Sequence, residues 1–396
     1  MSQFRPRDER ELAEIVAAAV AQEEPLELVA GGSKRGLGRP LQAPHVLDLG
    51  AFAGIQQYEP EELVLTAAAA TPLAEIEAAL DKERQMLAFE PGDWRALLGT
   101  GGQQPTLGGV LACNLAGPRR IRQGAARDHF LGFHAVSGRG EAFKAGGRVV
   151  KNVTGYDLSK LMAGSYGTLA ALIEVTVKVL PRPEATRSVA LRGLADDAAV
   201  RAMTEALNSS HEVGGAAHLP AAAAPQSEAL TLIRLEGPIP SVEARAAALR
   251  RELGEFGPIE ILADEPSLAL WRAVRDVSPL AGLPDHVVWR LSVPPSAGAE
   301  LAARLAGELD LRHFFDWGGG LLWLAVRGAE DGGAAAVRGA LGSMGHATLI
   351  RAPDALRAAV PVFQPQSPAL AALSARVKEG FDPKRILNRG RMYREL

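Results

Sequence analysis

The chain has 396 residues, a length that suits two domains, or one domain with a large insertion, better than a single core. Hydrophobic residues make up 47% and charged residues 22%, and 43 Lys and Arg against 46 Asp and Glu leave a net charge of −3, so the basic excess of a nucleic-acid binder is absent. A single cysteine, Cys113, excludes an internal disulfide and a cysteine-held zinc or iron–sulfur site, and assigns any such cluster to a partner.

The opening residues are charged from Arg5 onward without an apolar leader core, and no run approaches the ~18 apolar residues of a membrane helix, which leads us to expect a cytoplasmic protein. Pro6 is placed to open a helix with Leu12, Ile15, Val16, Ala19 and Val20 at helical spacing, and Pro25 to close it. "LELVAGG" reads as a strand ending in a glycine turn, "HVLDL" as a second strand and "ELVLTAAAA" as a third. Thr71 as N-cap and Pro72 in the first turn then start a helix with Leu73, Ile76 and Leu80 on one face. Residues 91–124 are glycine-rich with little periodicity, the pattern of a long loop that is either functional or disordered. Past Pro181 and Pro183 the composition turns to alanine-rich helices between strands, such as "TLIRLEG" and a helix from Ser241 to Leu253, and a second domain is predicted from residue 184. Within it "HFFDWGGGLLWLAV" predicts a hairpin turning at Gly318 to Gly320, and "LPAAAAPQS" a loose surface loop. Ser367 and Pro368 start a last helix with Leu370, Leu373 and Val377 inward, stopped by Gly380 and Pro383, and the tail "ILNRGRMYREL" needs a place to dock.

Three stretches carry chemistry. "AGGSKRGLG", residues 30–38, can turn successive N–H groups round a phosphate, since glycine tolerates the positive φ this needs. It matches neither the Gly-x-Gly-x-x-Gly nor the Walker pattern, and alone it reads equally as a plain turn. "QPTLGGVLACNLAG", residues 104–117, groups Thr106, Gly108, Gly109, Asn114 and Gly117, small residues that admit a ligand close to the main chain, or else make a mobile lid. "GGRVVKNVTGYDLSKLMAGSYGTLAALIEVTVKVLPRP", residues 146–183, sets charged residues beside a β-branched run; Asp157 could instead cap a surface helix with Tyr156 half-buried. The basic group Arg119, Arg120, Arg122 and Arg127 reads as solvated surface, an anion clamp or a dock for an acidic partner.

These stretches, together with "FDPKRILNRGRMY", resemble the FAD-binding flavoproteins of the vanillyl-alcohol-oxidase (PCMH) type, most closely the family of FAD-binding E subunits of bacterial glycolate oxidase, also called glycolate dehydrogenase. The likeness runs over about residues 1–185 and 365–396. It implies an α+β fold: a PCMH-type FAD-binding domain of two α/β subdomains over residues 1–183, an inserted α+β cap over 184–350, and a segment, 351–396, returning to the FAD domain. It implies cofactor contacts at Ala30, Gly31, Gly32, Ser33, Lys34, Arg35 and Gly36, at Pro91, Gly92, Pro105, Thr106, Gly108, Gly109, Asn114 and Gly117, and at Lys151, Asn152, Gly155, Asp157, Gly167, Thr168 and Leu169. Polar residues beside a core strand make sense there, because FAD offers a ring edge and two phosphates as hydrogen-bond partners.

The sequence also departs from that family. Many relatives in the glycolate and lactate branch carry a His-x-Gly-Asp-Gly-Asn-x-His metal motif in the second domain; here only His313 and Asp316 stand nearby, no paired histidine follows, and no metal site is expected. Close relatives read Gly-Ser-Glu-Gly-Thr-Leu-Gly where this chain has Gly164, Ser165, Tyr166, Gly167, Thr168, Leu169 and Ala170. Relatives with covalent flavin often have a histidine in the first loop; its lack here implies noncovalent FAD. Asp128, where the family keeps an aspartate, is expected in a salt bridge within its loop. The resemblance implies an FAD-binding subunit of a complex that oxidises glycolate to glyoxylate, working with a sister FAD subunit and an iron–sulfur subunit, binding no nucleic acid and reaching a membrane only through partners. Two alternatives remain: a catalytically silent structural subunit, or a stand-alone FAD-dependent 2-hydroxy-acid dehydrogenase using Arg391, Tyr393 and Asn388 of the tail. Arg391, Asn388 and His313 are the weak catalytic candidates.

Overall fold

Three short parallel strands, Ser2–Phe4, His45–Asp48 and Leu26–Val29 in that spatial order, begin the first domain. The computed structural model describes residues 2–147 and 155–396, so Lys151 and Asn152 lie outside the described residues. Helix Glu9–Gln22 covers the small sheet through buried Leu12, Val16 and Ala19. Its start differs from expectation. Asp8, not Pro6, ends the free N–H groups, its carboxylate accepting the Glu11 N–H at 2.9 Å, and Glu23 closes the helix in a left-handed turn.

An antiparallel five-stranded sheet follows, in the order Ile55–Glu59, Val64–Ala68, Ala170–Lys178, Phe130–Ser137, Ala142–Gly146. Helix Leu73–Lys82 buries Leu73, Ile76 and Leu80 as the spacing predicts, but Thr71 does not cap it. The Thr71 hydroxyl donates to the Ala68 and Gly54 carbonyls, holding the turn before the helix. The stretch 91–124 is not one long loop either: short helices at Arg95–Leu98, Leu107–Cys113 and Arg120–Gln123 divide it.

From Ala185 the chain builds an eight-stranded antiparallel sheet, ordered Ile259–Ala263, Ala185–Arg192, Leu230–Gly237, Gly215–Leu219, Asp310–Asp316, Leu321–Arg327, His286–Ser292, His346–Arg351. The predicted hairpin is there, with Trp317–Gly319 in its turn. Both faces of this sheet are apolar, and the period of two sorts them. Val189, Leu191, Ile233, Phe315 and Leu324 pack under helices Asp196–Asn208, Ile239–Glu252, Gly298–Ala306 and Ala334–Leu341. Ala190, Leu232, Phe314 and Trp323 point the other way and join the core of the first domain, where Trp323 meets Trp94 edge-on at 5.3 Å.

The chain then returns. Helix Pro368–Phe381 is capped by Ser367, yet Leu370 and Leu373 are 49% and 50% exposed and not inward as expected. The helix is anchored by its end instead: the Lys378 ammonium donates to the carbonyls of Thr168 (2.6 Å) and Leu387 (3.0 Å) and to Asp382. It runs through Gly380 to Phe381, and Pro383 lies beyond its Asp382 C-cap. The tail docks beside the first sheet, Leu387 bridging to Leu26.

Candidate functional site

A cleft opens between the small sheet, the five-stranded sheet and the tail. Residues far apart in the chain meet on its wall: Ala30, Gly31, Gly32, Ser33, Lys34 and Arg35 from the first loop, Thr106, Gly108 and Gly109 from the second, Gly167 from the third, and Asn388 and Arg391 from the tail. Its apolar floor includes Leu28, Val29, Leu49, Met162, Ala170 and Leu172, and Gln104, Cys113, Ser165 and Tyr166 also line it.

Glycines here serve close packing. A Cβ on Gly108 would lie 2.7 Å from the Ala69 carbonyl oxygen, which accepts the Gly108 N–H at 2.7 Å, so helix Leu107–Cys113 sits directly against the end of strand Val64–Ala68. Gly167 at φ 69° leaves room for Asn388, whose amide would meet a Cβ at 2.8 Å.

The wall is cationic. Lys34 is half-buried, with the Ser33 hydroxyl, 3.3 Å away, as its only hydrogen-bond partner among the described residues, and burial lowers its pKa. The main-chain N–H groups of Gly32 and Lys34 have no acceptor among the described residues. Arg35 is neutralised by a fork onto Glu27 at 2.9 and 2.5 Å. Arg391 donates to the Lys34 and Arg35 carbonyls at 3.2 and 3.1 Å, while its buried Nε has no partner. Free amides, a half-buried ammonium and an apolar floor together fit a ligand with both an anionic and a flat apolar part, and an FAD diphosphate and ring system is such a ligand.

Other expected contacts lie off the wall. The Gly36 carbonyl accepts from Arg357 at 2.7 Å, Pro105 accepts the Leu73 N–H, and Thr168 bonds Ser165. Asn114 is the left-handed end of its helix and accepts the Arg127 N–H, Leu169 is core, and no atom of the described residues lies within 4 Å of a Cβ on Gly155. Asp157 caps helix Leu158–Met162, as in the alternative reading, but Tyr156, half-buried in that reading, is 91% exposed. Pro91, Gly92 and Gly117 belong to the seam with the cap, where a Cβ on Gly92 would strike the Arg275 carbonyl at 2.5 Å and one on Gly117 the Glu90 carbonyl at 2.4 Å. His313 is in the cap, its Nε2 2.7 Å from Asp196, which also meets His218 at 3.2 Å; it does not line the cleft. Asn388 and Arg391 line it, but both Asn388 amide atoms are engaged, with the Leu28 N–H and the Tyr166 carbonyl, so this side chain positions the wall.

The basic group splits up. Arg119 is buried at the seam, bound to Glu90 (3.0 Å) and Glu236 (2.6 Å), and Arg234 forks onto Glu90 with two contacts of 3.0 Å. Burial opposes the charge on Glu90, but Arg119 and Arg234 outweigh it and bring its pKa down to about 2. Arg122 pairs with exposed Glu212, and Arg120 lies over the indole of Trp317. Asp128 makes no salt bridge among the described residues; it accepts the Ala125 N–H at 2.9 Å and starts a short helix. Sequence reasoning missed this network, although Arg234 and Glu236, two apart in an apolar strand, share a face and signal a buried charge partner.

Residues 3–146 match the family described as FAD binding domain. The chain is 37% identical over 386 residues to glycolate oxidase subunit GlcE of Escherichia coli K12, covering 97% of both chains. The fold is shared with a 4-ethylphenol oxidase from Gulosibacter chungangensis (TM-score 0.74, 14% identity, 99% of this chain and 89% of that one) and with an alkyldihydroxyacetonephosphate synthase (TM-score 0.69, 16% identity, 98% and 75%). Among the described residues no helix is long and apolar enough to cross a membrane. A full-length likeness, with a glycine-lined cationic cleft partly walled by the matched FAD-binding domain, identifies the chain as a member of the family of the glycolate oxidase subunit GlcE.

Proposed function

We propose that the chain binds FAD noncovalently in this cleft and serves as the FAD-binding subunit of a glycolate oxidase complex, which oxidises glycolate to glyoxylate and passes electrons to a sister flavoprotein and an iron–sulfur subunit. The observation that carries the reading is the Lys34 ammonium in the cleft wall beside free main-chain N–H groups, in a chain that matches a glycolate oxidase subunit from end to end. Bound there, FAD would supply a two-electron acceptor. The chain's own residues supply the rest: Lys34 and the loop amides hold negative charge, Asn388 and Arg391 fix the loops against each other, and the apolar floor excludes water.

Among the described residues no histidine or carboxylate lines the cleft. General-base help is typically worth ~10²–10⁴ in rate, so the chain alone should oxidise glycolate slowly and the complex quickly. The test is the absorption spectrum of the purified chain, then acid precipitation, then glycolate with and without the partner subunits. Flavin bands that remain in the supernatant after precipitation support the reading. A folded chain that takes up no FAD defeats it, flavin in the pellet defeats the noncovalent part, and rapid bleaching by glycolate without partners defeats the division of labour.

A further inference from the structure

Arginines along the seam have acceptors: Arg119 and Arg234 share Glu90, Arg275 holds Asp276, Arg351 donates to the Leu97 and Ala281 carbonyls, and Arg357 to those of Gly36 and Gly38. Arg120 and Arg290 do not. Neither has a hydrogen-bond or ion-pair partner among the described residues, yet both guanidinium groups lie over one indole, that of Trp317, at 4.2 and 5.0 Å from the ring centroid. Arg120 is exposed and Arg290 half-buried, and two cations held on one ring repel each other unless an anion is shared between them. The missing element is an anion.

The platform is rigid. Trp317 is buried, with its Nε1 donating to the Gly117 carbonyl at 3.1 Å. Arg120 follows Arg119, which is locked to Glu90 and Glu236, and Arg290 stands mid-strand with neighbours paired on both edges. One arginine therefore comes from the first domain and the other from the cap. Asp316, in the field of Arg290, is tied to the main chain instead of forking onto either arginine: its Oδ1 accepts the Trp317 N–H at 2.7 Å, and burial pushes its carboxyl up to about 7. The positive field reaches the rim, where burial, then Arg290 and Arg120, hold the His346 imidazole below its ordinary value. On the inner side Tyr166 lines the cleft, and its phenol lies in the fields of both Arg290 and Arg391.

We propose that Arg120 and Arg290, presented on Trp317, form a binding site for a small carboxylate: the carboxylate group of a 2-hydroxy acid, held across Tyr166 from the cofactor cleft. The inference rests on the flavin reading and adds to it the place where substrate is held. A guanidinium fork matches a carboxylate with two parallel hydrogen bonds, and a second fork adds charge.

Oxalate, a carboxylate that cannot be oxidised as glycolate is, serves as the probe. The FAD-loaded chain is titrated with oxalate while the flavin difference spectrum is recorded, and the flavin-free chain is titrated by calorimetry. Flavin content, measured before any oxalate is added, reads the cofactor proposal separately. Oxalate should bind the wild type in both titrations, tenfold or more weakly to R120Q and R290Q, immeasurably to the double variant, and within twofold of wild type to R122Q. R120Q changes an exposed side chain and keeps the test decisive if R290Q misfolds. Absence of oxalate binding to the wild type by calorimetry, or unchanged binding to folded R120Q, overturns the site whether or not flavin is present.

Discussion

Glu90 is where the two domains exchange charge: one carboxylate answers two buried guanidinium groups that come from different domains. Removing it strands part of that positive charge, so Glu90→Gln should cost about 3–5 kcal/mol of stability at pH 7, read by urea denaturation. The pH dependence follows from the same pair. The folded state holds Glu90 ionised down to about 2 against an ordinary value of 4.5, so its stabilisation is full above pH 4.5 and is lost as pH falls towards 2, on the order of 3 kcal/mol in all. In the glutamine variant this share of the acid-induced loss should vanish; an unchanged slope of stability between pH 5 and 3 would contradict the account. Glycines of the two loops separate in the same way. Gly108→Ala drives a methyl group into Ala69 and should lose about 1–3 kcal/mol and most of the bound flavin, whereas Gly36, with nothing within 4 Å of its Cβ position, should accept alanine with flavin retained. Flavin absorbance per folded chain after desalting distinguishes the two.

At the scale of elements, helix Pro368–Phe381 is held at one end. Leu370→Ser and Leu373→Ser should change stability by no more than about 0.5 kcal/mol, while Lys378→Met, which leaves Asp382 buried without its cation, should cost about 3–5 kcal/mol. Thermal melts of the three variants check this. The helix also shows what the sequence could convey. Its length and its Ser367 cap are local facts and were legible, but which face is buried depends on neighbours, and the apolar spacing of Leu370 and Leu373 pointed inward where no neighbour stands. Likewise the glycine loops at 30–35 and 106–109 were legible because backbone freedom is written in glycine itself, and the strand–turn–strand at Trp317 because its turn is three glycines long. Thr71 misled because a threonine before a helix can bond forward or back, and here it bonds back to Ala68. Arg234 and Arg290 were not legible as site residues, since their roles depend on Glu90 and Trp317, which lie far off in the sequence or on another strand.

Over the whole molecule, the cap sheet contributes one face to the core of the first domain and the other to its own helices, so neither domain buries its apolar surface alone. Unfolding should therefore be a single cooperative transition, with tryptophan fluorescence of the cap and far-ultraviolet circular dichroism giving coincident curves in urea; two resolved transitions would show that the cap unfolds by itself. The cleft shares this non-local character. Its wall joins Leu28 to Asn388 by a hydrogen bond across 360 positions of chain, and Lys34 and Arg35 to Arg391 across almost as many. On the ribosome, the glycine loop leaves the exit tunnel among the first segments and waits for nearly all the rest before its wall is whole. Cofactor capture is thus a late event in the life of each molecule, and a chain broken off before Ile386 should emerge colourless, unable to keep flavin even with every glycine of its loops in place.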